Sequence, residues 1–368
     1  MGKQLSETIW LYTILVMGLG LLALFSATFN NVRVAQDVFY DQLWCAALGL
    51  LLMRFLSRLD YRKFYDTAYI FYAVNVILLL LVLVSGRHAL GARRWIEWGS
   101  LSFQPSELMK LTLIFALGRY LSNLRPTLSF DFLSKSQTVI RGLIVPLVIT
   151  MAPTLLIFKQ PDLGTAILLF GIFLALVFAS GLELRFWGTF VALGVLLLPL
   201  AWHVLRPYQQ ARLTVFLNPN IDPLGAGYTI IQSKIAVGSG QIFGKGWLGG
   251  TQNQLNFLPE RHTDFIFSVI GEEFGFLGVL FLLYCYFMLI SSGFKIAEQV
   301  KDKFGMFVSL GIVAILALQV IINIGMVTGL SPVVGITLPL ISYGRTSFLI
   351  FVVMMGFLLN LSRRRTVF

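Results

Sequence analysis

Residues 9–25 read IWLYTILVMGLGLLALF, an apolar run with no Asp, Glu, Lys, Arg or His. A helix crosses the hydrocarbon core of a bilayer with about 20 such residues, and the run extends to 8–29. A short head carrying Lys3 precedes it, as in a signal peptide. The run is long, however, and lacks a convincing small-x-small cleavage site, so it reads as an uncleaved first span. The same pattern returns near 39–56, 69–85, 107–122, 138–158, 163–181, 186–205, 265–290, 306–328 and 336–360. This predicts an all-α polytopic membrane protein of about ten transmembrane helices. The 107–122 window is the weakest, because Lys110 and Arg119 interrupt it.

Composition agrees. The 368 residues are 57% hydrophobic and 12% charged, where soluble domains carry about a quarter charged residues, so soluble folds are excluded. Two-residue alternation is absent, which favours a helical bundle over a β-barrel. With no repeat and no linker, residues 1–368 read as a single domain. Ten spans place both termini on one side, and 16 of the 28 Lys and Arg residues then fall on that side. The positive-inside rule makes it cytoplasmic, N-in and C-in. Cys45 and Cys285 lie in separate apolar runs, and His88, His203 and His262 do not cluster. No metal site is expected from these five residues.

The longest polar interval is 206–264, a large extracytoplasmic loop between spans 7 and 8. Its Tyr228, Ile230, Ile231, Trp247 and Phe257 give it enough apolar surface to pack. Its glycine-rich run, GSGQIFGKGWLGG at 238–250, contains a formal GxGxxG. No hydrophobic strand precedes it and the run lies outside the cell, so a dinucleotide fingerprint is not expected. The glycines read instead as turns and close backbone approaches.

Three outer segments gather polar groups. In GARRWIEWGSLSFQPSELMK at 91–110, Glu107 and Lys110 are spaced i,i+3 and share a helical face. They read either as a structural ion pair or as part of a functional cavity. In KQPDLGT at 159–165, Asp162 can cap the following helix, and with Lys159 the segment could also touch substrate. In FLPERHTDFIF at 257–267, Asp264 stands where the loop re-enters the membrane. An N-cap would explain Asp264 alone. It does not explain Glu260, Arg261, His262 and Thr263 beside it. Outer Arg93, Arg94, Arg206, Arg212, Lys234 and Arg261 face few acids, which suits an anionic substrate such as a diphosphate headgroup.

These segments, with FLNPNIDPLGAGYTIIQSKIAVGSG at 216–240, GKGWLGGTQNQLNFLPERHTDFIFSVIGEEFGFLG at 244–278 and NIGMVTGLSPVVGITLPLISYG at 323–344, resemble the SEDS family of cell-wall polymerases (shape, elongation, division and sporulation). The GKGWLGGTQ and LPERHTDF forms resemble its elongation branch, RodA, more than its division branch, FtsW. The resemblance runs along nearly the whole chain. It implies a peptidoglycan glycosyltransferase in the bacterial cytoplasmic membrane that polymerises lipid II during cell elongation. It further implies a class B penicillin-binding protein as partner, with other elongation-complex membrane proteins, and no nucleic acid. The family's essential acid aligns with Asp264, and its other sensitive positions with Trp95, Glu107, Lys110, Arg206, Arg212 and Lys234. Glu260, Arg261 and His262 join Arg93 and Arg94 as candidate substrate-binding groups. One departure stands out: the family reads SYGGSS or SYGGTS where this chain has Ser342-Tyr343-Gly344-Arg345-Thr346-Ser347. Arg345 is expected to strain the backbone if a positive φ is needed there, to snorkel, or to add a phosphate contact.

The implied chemistry needs a base for the acceptor 4-hydroxyl, which Asp264 would supply, and cationic groups or a divalent ion for the departing diphosphate. Two rivals remain. A lipid II flippase would need gating on both faces, and a non-catalytic scaffold would tolerate Asp264→Asn. Gly325 and Gly329, four apart, offer either a face for a partner helix or a contact inside the bundle.

Overall fold

The computed structural model describes residues 2–29, 32–89, 92–99, 101–124, 140–181, 207–225 and 227–363, with isolated positions between 182 and 206. Helix follows helix: α1 (Gly2–Thr28), α2 (Val32–Leu56), α3 (Arg62–Ser85), α4 (Pro105–Ser122), α5 (Val145–Lys159) and α6 (Leu163–Ala179). Then come α7 (Pro207–Leu217), α8 (Tyr228–Ser239), the single turn α9 (Thr251–Gln254), α10 (Ile266–Gln299), α11 (Lys303–Thr328) and α12 (Arg345–Arg363). Among the described residues seven helices are long and apolar enough to cross a membrane, and the apolar α6 is slightly shorter. The predicted span at 186–205 and Arg206 lie outside the described residues.

The window weakened by Lys110 and Arg119 is a real helix. Pro105 occupies its first turn and Glu107 complements the helix dipole there. It is also among the best buried, with Met109, Lys110, Leu113, Ile114 and Leu117 all fully covered. Helix α11 packs against α4, α6 and α10, and α4, α11 and the largely buried α12 form the interior. The outer faces of α2, α3 and α10 keep Leu51, Phe55, Ile70, Ile77, Phe276 and Phe287 exposed, as lipid-facing helices do.

Two features escape an all-helical reading. Three strands, β1 (Arg87–Ala89), β2 (Ala92–Trp98) and β3 (Leu101–Phe103), form a small antiparallel sheet ordered β1-β2-β3. Helix α10 is also broken at Gly275, whose φ of 65° and ψ of −162° are not helical. Bonds from Arg94 of β2 and Tyr208 of α7 to the 160–161 turn, from Arg212 of α7 to Val333, and the approach of Gly335 to Asp264 bring β2, α7, the 260–265 turn and the irregular stretch 332–338 together at one end of the bundle.

Candidate active site

Asp264 sits in a turn. The Glu260 carbonyl accepts from the Thr263 and Phe265 amides at 3.1 and 3.3 Å, which folds residues 260–265 back on themselves. Helix α10 starts at Ile266, and Phe265, at its cap position, makes no side-chain cap. The capping explanation for Asp264 therefore fails. The turn is tied down through its backbone instead. Asn323 Nδ2 donates to the Asp264 carbonyl at 2.9 Å and to the Ile336 carbonyl at 2.6 Å. Ser342 Oγ donates to the Thr263 carbonyl at 2.6 Å, and the Tyr343 amide to the His262 carbonyl at 2.9 Å.

The half-buried Asp264 carboxylate has no hydrogen-bond partner among the described residues. Gly335 lies opposite with φ 74°, and a Cβ there would stand 3.3 Å from Asp264 Oδ2. A side chain at 335 would be both strained and pressed on the carboxylate. Burial pushes the Asp264 pKa up to about 6, and the Glu260 charge adds to the rise. The Arg212 and Arg94 guanidiniums oppose it, and Asp162 adds a smaller upward push.

The other candidates divide. Arg94 clamps the 160–162 turn, its Nε donating to the Gln160 carbonyl at 3.2 Å and an Nη to the Pro161 carbonyl. Arg212, on α7, donates to the Val333 carbonyl at 3.2 Å and lies over the Tyr208 ring, 5.8 Å from its centroid. It lines a cleft of about 80 Å³ with Leu163, Ile167, Tyr208, Val333 and Val334. Asp162 does cap α6, accepting from the Thr165 amide at 3.2 Å and its hydroxyl at 2.9 Å. Oδ2, which takes that hydroxyl, also accepts from Gln104 Nε2 at 3.5 Å. Arg93 turns away and donates to the Leu83 and Val84 carbonyls at the end of α3. Arg261 likewise donates to the Ala27 carbonyl at the end of α1, at 2.7 Å. Trp95 is half-buried in β2. Burial pushes the His262 imidazole down from its usual pKa, with Glu260 opposing and Arg261 assisting. Exposed Lys234 lies against Gly329, the cap residue just past α11, where a Cβ would clash with its Cε at 2.1 Å. A Cβ on Gly325 would stand 2.9 Å from Ser331 Oγ. The two glycines thus pack against this chain's own residues.

Glu107 and Lys110 form a 2.6 Å ion pair, but Lys110 is fully buried and offers nothing to a ligand. Its ammonium donates to Gln319 Oε1 at 3.1 Å and sits over the Phe351 ring. Gln319 Nε2 in turn donates to the Thr337 carbonyl at 2.9 Å. One helical turn further along α11, Asn323 grips Asp264. The pair thus supports the wall of the site from below. Gln319 and Asn323 are the functional residues missed in the sequence, and their signal was two amides four apart in an apolar helix. Arg345 pairs with Asp41 on α2, and the Tyr343 hydroxyl donates to the same carboxylate at 3.4 Å. No positive φ is required at 345, so the strain expectation is overturned.

The fold is thus a membrane bundle that carries at one end a carboxylate of raised pKa within the electrostatic reach of two guanidiniums. The chain belongs to the FtsW/RodA/SpoVE family, whose model, described as cell cycle protein, matches residues 6–367. It is 38% identical over 363 residues to peptidoglycan glycosyltransferase MrdB of Escherichia coli K12, covering 98% of this chain and 94% of that one. It is 30% identical to peptidoglycan glycosyltransferase RodA of Treponema pallidum, covering 94% and 95%. Among solved structures, a chain from a study of how a peptidoglycan synthase complex coordinates polymerization and crosslinking superposes with a TM-score of 0.80. That chain is 33% identical, with 97% of each chain covered. Thermus thermophilus RodA gives a TM-score of 0.70 at 30% identity, covering 97% and 96%.

Proposed function

We propose that this chain is a peptidoglycan glycosyltransferase that polymerises lipid II on the outer face of the cytoplasmic membrane, with both termini in the cytoplasm. The observation that carries the chemistry is the Asp264 carboxylate, half-buried, without a hydrogen-bond partner among the described residues and raised to about 6. Such a group is ionised near neutral pH and basic enough to take a proton. It removes the proton of an acceptor sugar 4-hydroxyl as that oxygen bonds to the donor's anomeric carbon. The bond from that carbon to the diphosphate oxygen breaks, and undecaprenyl diphosphate leaves with the electron pair. Direct displacement inverts the α-linked donor to a β-linked product without a covalent sugar–enzyme intermediate.

Arg212 and Arg94, whose charges act on Asp264, stabilise the departing diphosphate. Among the described residues no group of three or more His, Cys, Asp or Glu side chains could hold a metal ion. A divalent ion would therefore be held jointly with the diphosphate. That a structural relative comes from a peptidoglycan synthase complex coordinating polymerization and crosslinking supports a cross-linking partner, a class B penicillin-binding protein.

The test is polymer formation from labelled lipid II by purified protein. Asp264→Asn should abolish it while the variant remains folded. Substantial glycan from a folded Asp264→Asn protein refutes the assignment and returns the chain to a scaffold or flippase role.

A further inference from the structure

The glycine-rich run at 238–250 is placed outside the cell by its sequence, yet it is spliced into a membrane helix. In an unbroken α10 the Phe276 amide would donate to the Glu272 carbonyl and the Leu277 amide to that of Glu273. Both bonds are replaced. Phe276 donates to the Gln241 carbonyl at 2.8 Å and Leu277 to the Ile242 carbonyl at 3.1 Å. The orphaned carbonyls are taken up by the same turn, with Lys245 N on Glu272 O and Gly246 N on Glu273 O, each at 3.0 Å. Two glycines make this approach possible. A Cβ on Gly275 would lie 2.3 Å from the Gly244 amide, and one on Gly244 would lie 2.1 Å from the Glu273 carbonyl. Below the splice, Lys245 pairs with buried Glu272 at 2.7 Å.

The splice fixes the depth of the turn. Gly275 lies nine residues into α10, about 13 Å from its start at 1.5 Å per residue. On the other side Trp247 Nε1 donates to the carbonyl of Leu22 at 3.2 Å and its ring meets that of Phe25, both within α1. At this level the turn exposes Ile242 (58%), Phe243 (79%) and Trp247 (48%). Their outward faces continue the apolar band of Leu22, Phe276, Leu277 and Leu280, also exposed. Irregular backbone is tolerated at membrane depth where protein satisfies it, and here four backbone bonds to α10 do so. Tryptophan favours the headgroup level.

We infer that residues 241–247 form a re-entrant turn seated in the bilayer edge at the Asp264 end of the bundle, with Ile242 and Phe243 among the acyl chains and Trp247 at headgroup level. The turn clips the outer part of α10, which follows Asp264 directly, to lipid. The inference is independent of which group is the base.

A nitroxide on Ile242→Cys or Phe243→Cys, in a Cys45→Ala/Cys285→Ala background reconstituted in phospholipid vesicles, tests it. Collision with oxygen, which concentrates in hydrocarbon, is compared with collision with a water-soluble nickel chelate. Phe281→Cys is the lipid-facing reference, and exposed Asn220→Cys the aqueous one. The oxygen-to-nickel ratio at both positions should match that at 281 and exceed that at 220 several-fold. A ratio equal to that at 220 overturns the inference. So does suppression of both collisions, the outcome if a second copy or another protein covers the turn. A phenyl-diazirine that partitions into bilayers provides a check on the unmodified chain. It should label the peptide containing Ile242 and Phe243, and an unlabelled peptide beside labelled Phe281 sinks the proposal without any variant.

Discussion

Asp264 and Glu272 are carboxylates eight residues apart at the same end of the bundle, and the fold treats them in opposite ways. Glu272 is fully buried and fully engaged on one oxygen. Lys245 Nζ reaches it at 2.7 Å, the Gln252 amide at 3.0 Å and the Thr251 hydroxyl at 3.1 Å. Asp264 has its backbone gripped by Asn323 and its turn held by Ser342 and Tyr343, while its carboxylate receives no hydrogen bond from the described residues. A carboxylate that serves folding is neutralised where it stands. Asp264, the base under the proposed function, is held by everything except its carboxylate oxygens, and its raised pKa follows from that arrangement.

The largest expected effect breaks the comparison at Asp264. Removing a general base costs typically 10²- to 10⁴-fold in rate, so Asp264→Asn should lose at least about 100-fold in polymerisation. Stability should move the other way. The folded pKa, raised from 3.8 to about 6, means that ionising Asp264 costs stability. Its favourable contribution is full below 3.8 and is lost as pH rises through 6. At pH 7 Asp264→Asn should therefore raise the thermal midpoint, by at most about 3 kcal/mol of relief. Wild-type turnover should climb with pH through about 6 as the base ionises. A variant that loses both activity and stability would make Asp264 structural, like Glu272.

Next comes the buried pair beneath the site. Lys110→Met leaves Glu107 without its cation in a protein interior, which costs about 3–5 kcal/mol. Lys110→Met/Glu107→Leu should recover much of that stability in chemical unfolding without restoring full activity, because Gln319 loses the ammonium that orients it. Strict additivity in this double-mutant cycle would uncouple the pair. Glu272→Gln, the counterpart of Asp264→Asn, removes a charged acceptor of three hydrogen bonds and should cost about 2 kcal/mol. Activity per folded molecule should stay near wild type. A folded but inactive Glu272→Gln protein would erase the distinction between the two carboxylates.

Much of this was legible in the sequence, for reasons that particular residues make plain. Long apolar runs such as 9–25 report helices directly, and ionisable groups at the rim, such as Asp264, draw attention because lipid tolerates them poorly. The sheet at 87–103 was hidden because its strands are short and rich in arginine and tryptophan. Arg93, Arg261 and Lys234 read as outward charges, while the structure lays them against helix ends and a glycine. A sequence reports that a side chain is basic but not which carbonyl it will meet. The break at Gly275 was equally silent, since its cause is a turn some thirty residues upstream.

Arg345 offers the finest test, because here the chain departs from the pattern of the family it belongs to. Its partner Asp41 also accepts from Tyr343, whose amide holds the carbonyl of His262 in the Asp264 turn. Arg345 is thus a strut against α2 that reaches the Asp264 turn through three hydrogen bonds, ending on the His262 carbonyl rather than on the carboxylate. Both side chains are about a third exposed, and such a pair is worth about 1 kcal/mol or less. Arg345→Gly, which restores the family residue, should lower kcat by no more than about 5-fold with KM for lipid II unchanged. Asp41→Asn should do the same, and combining the two should add nothing further. If instead Arg345→Gly raises KM and Asp41→Asn leaves it alone, Arg345 touches the diphosphate itself, and the comparison must be redrawn with a third cation inside the site.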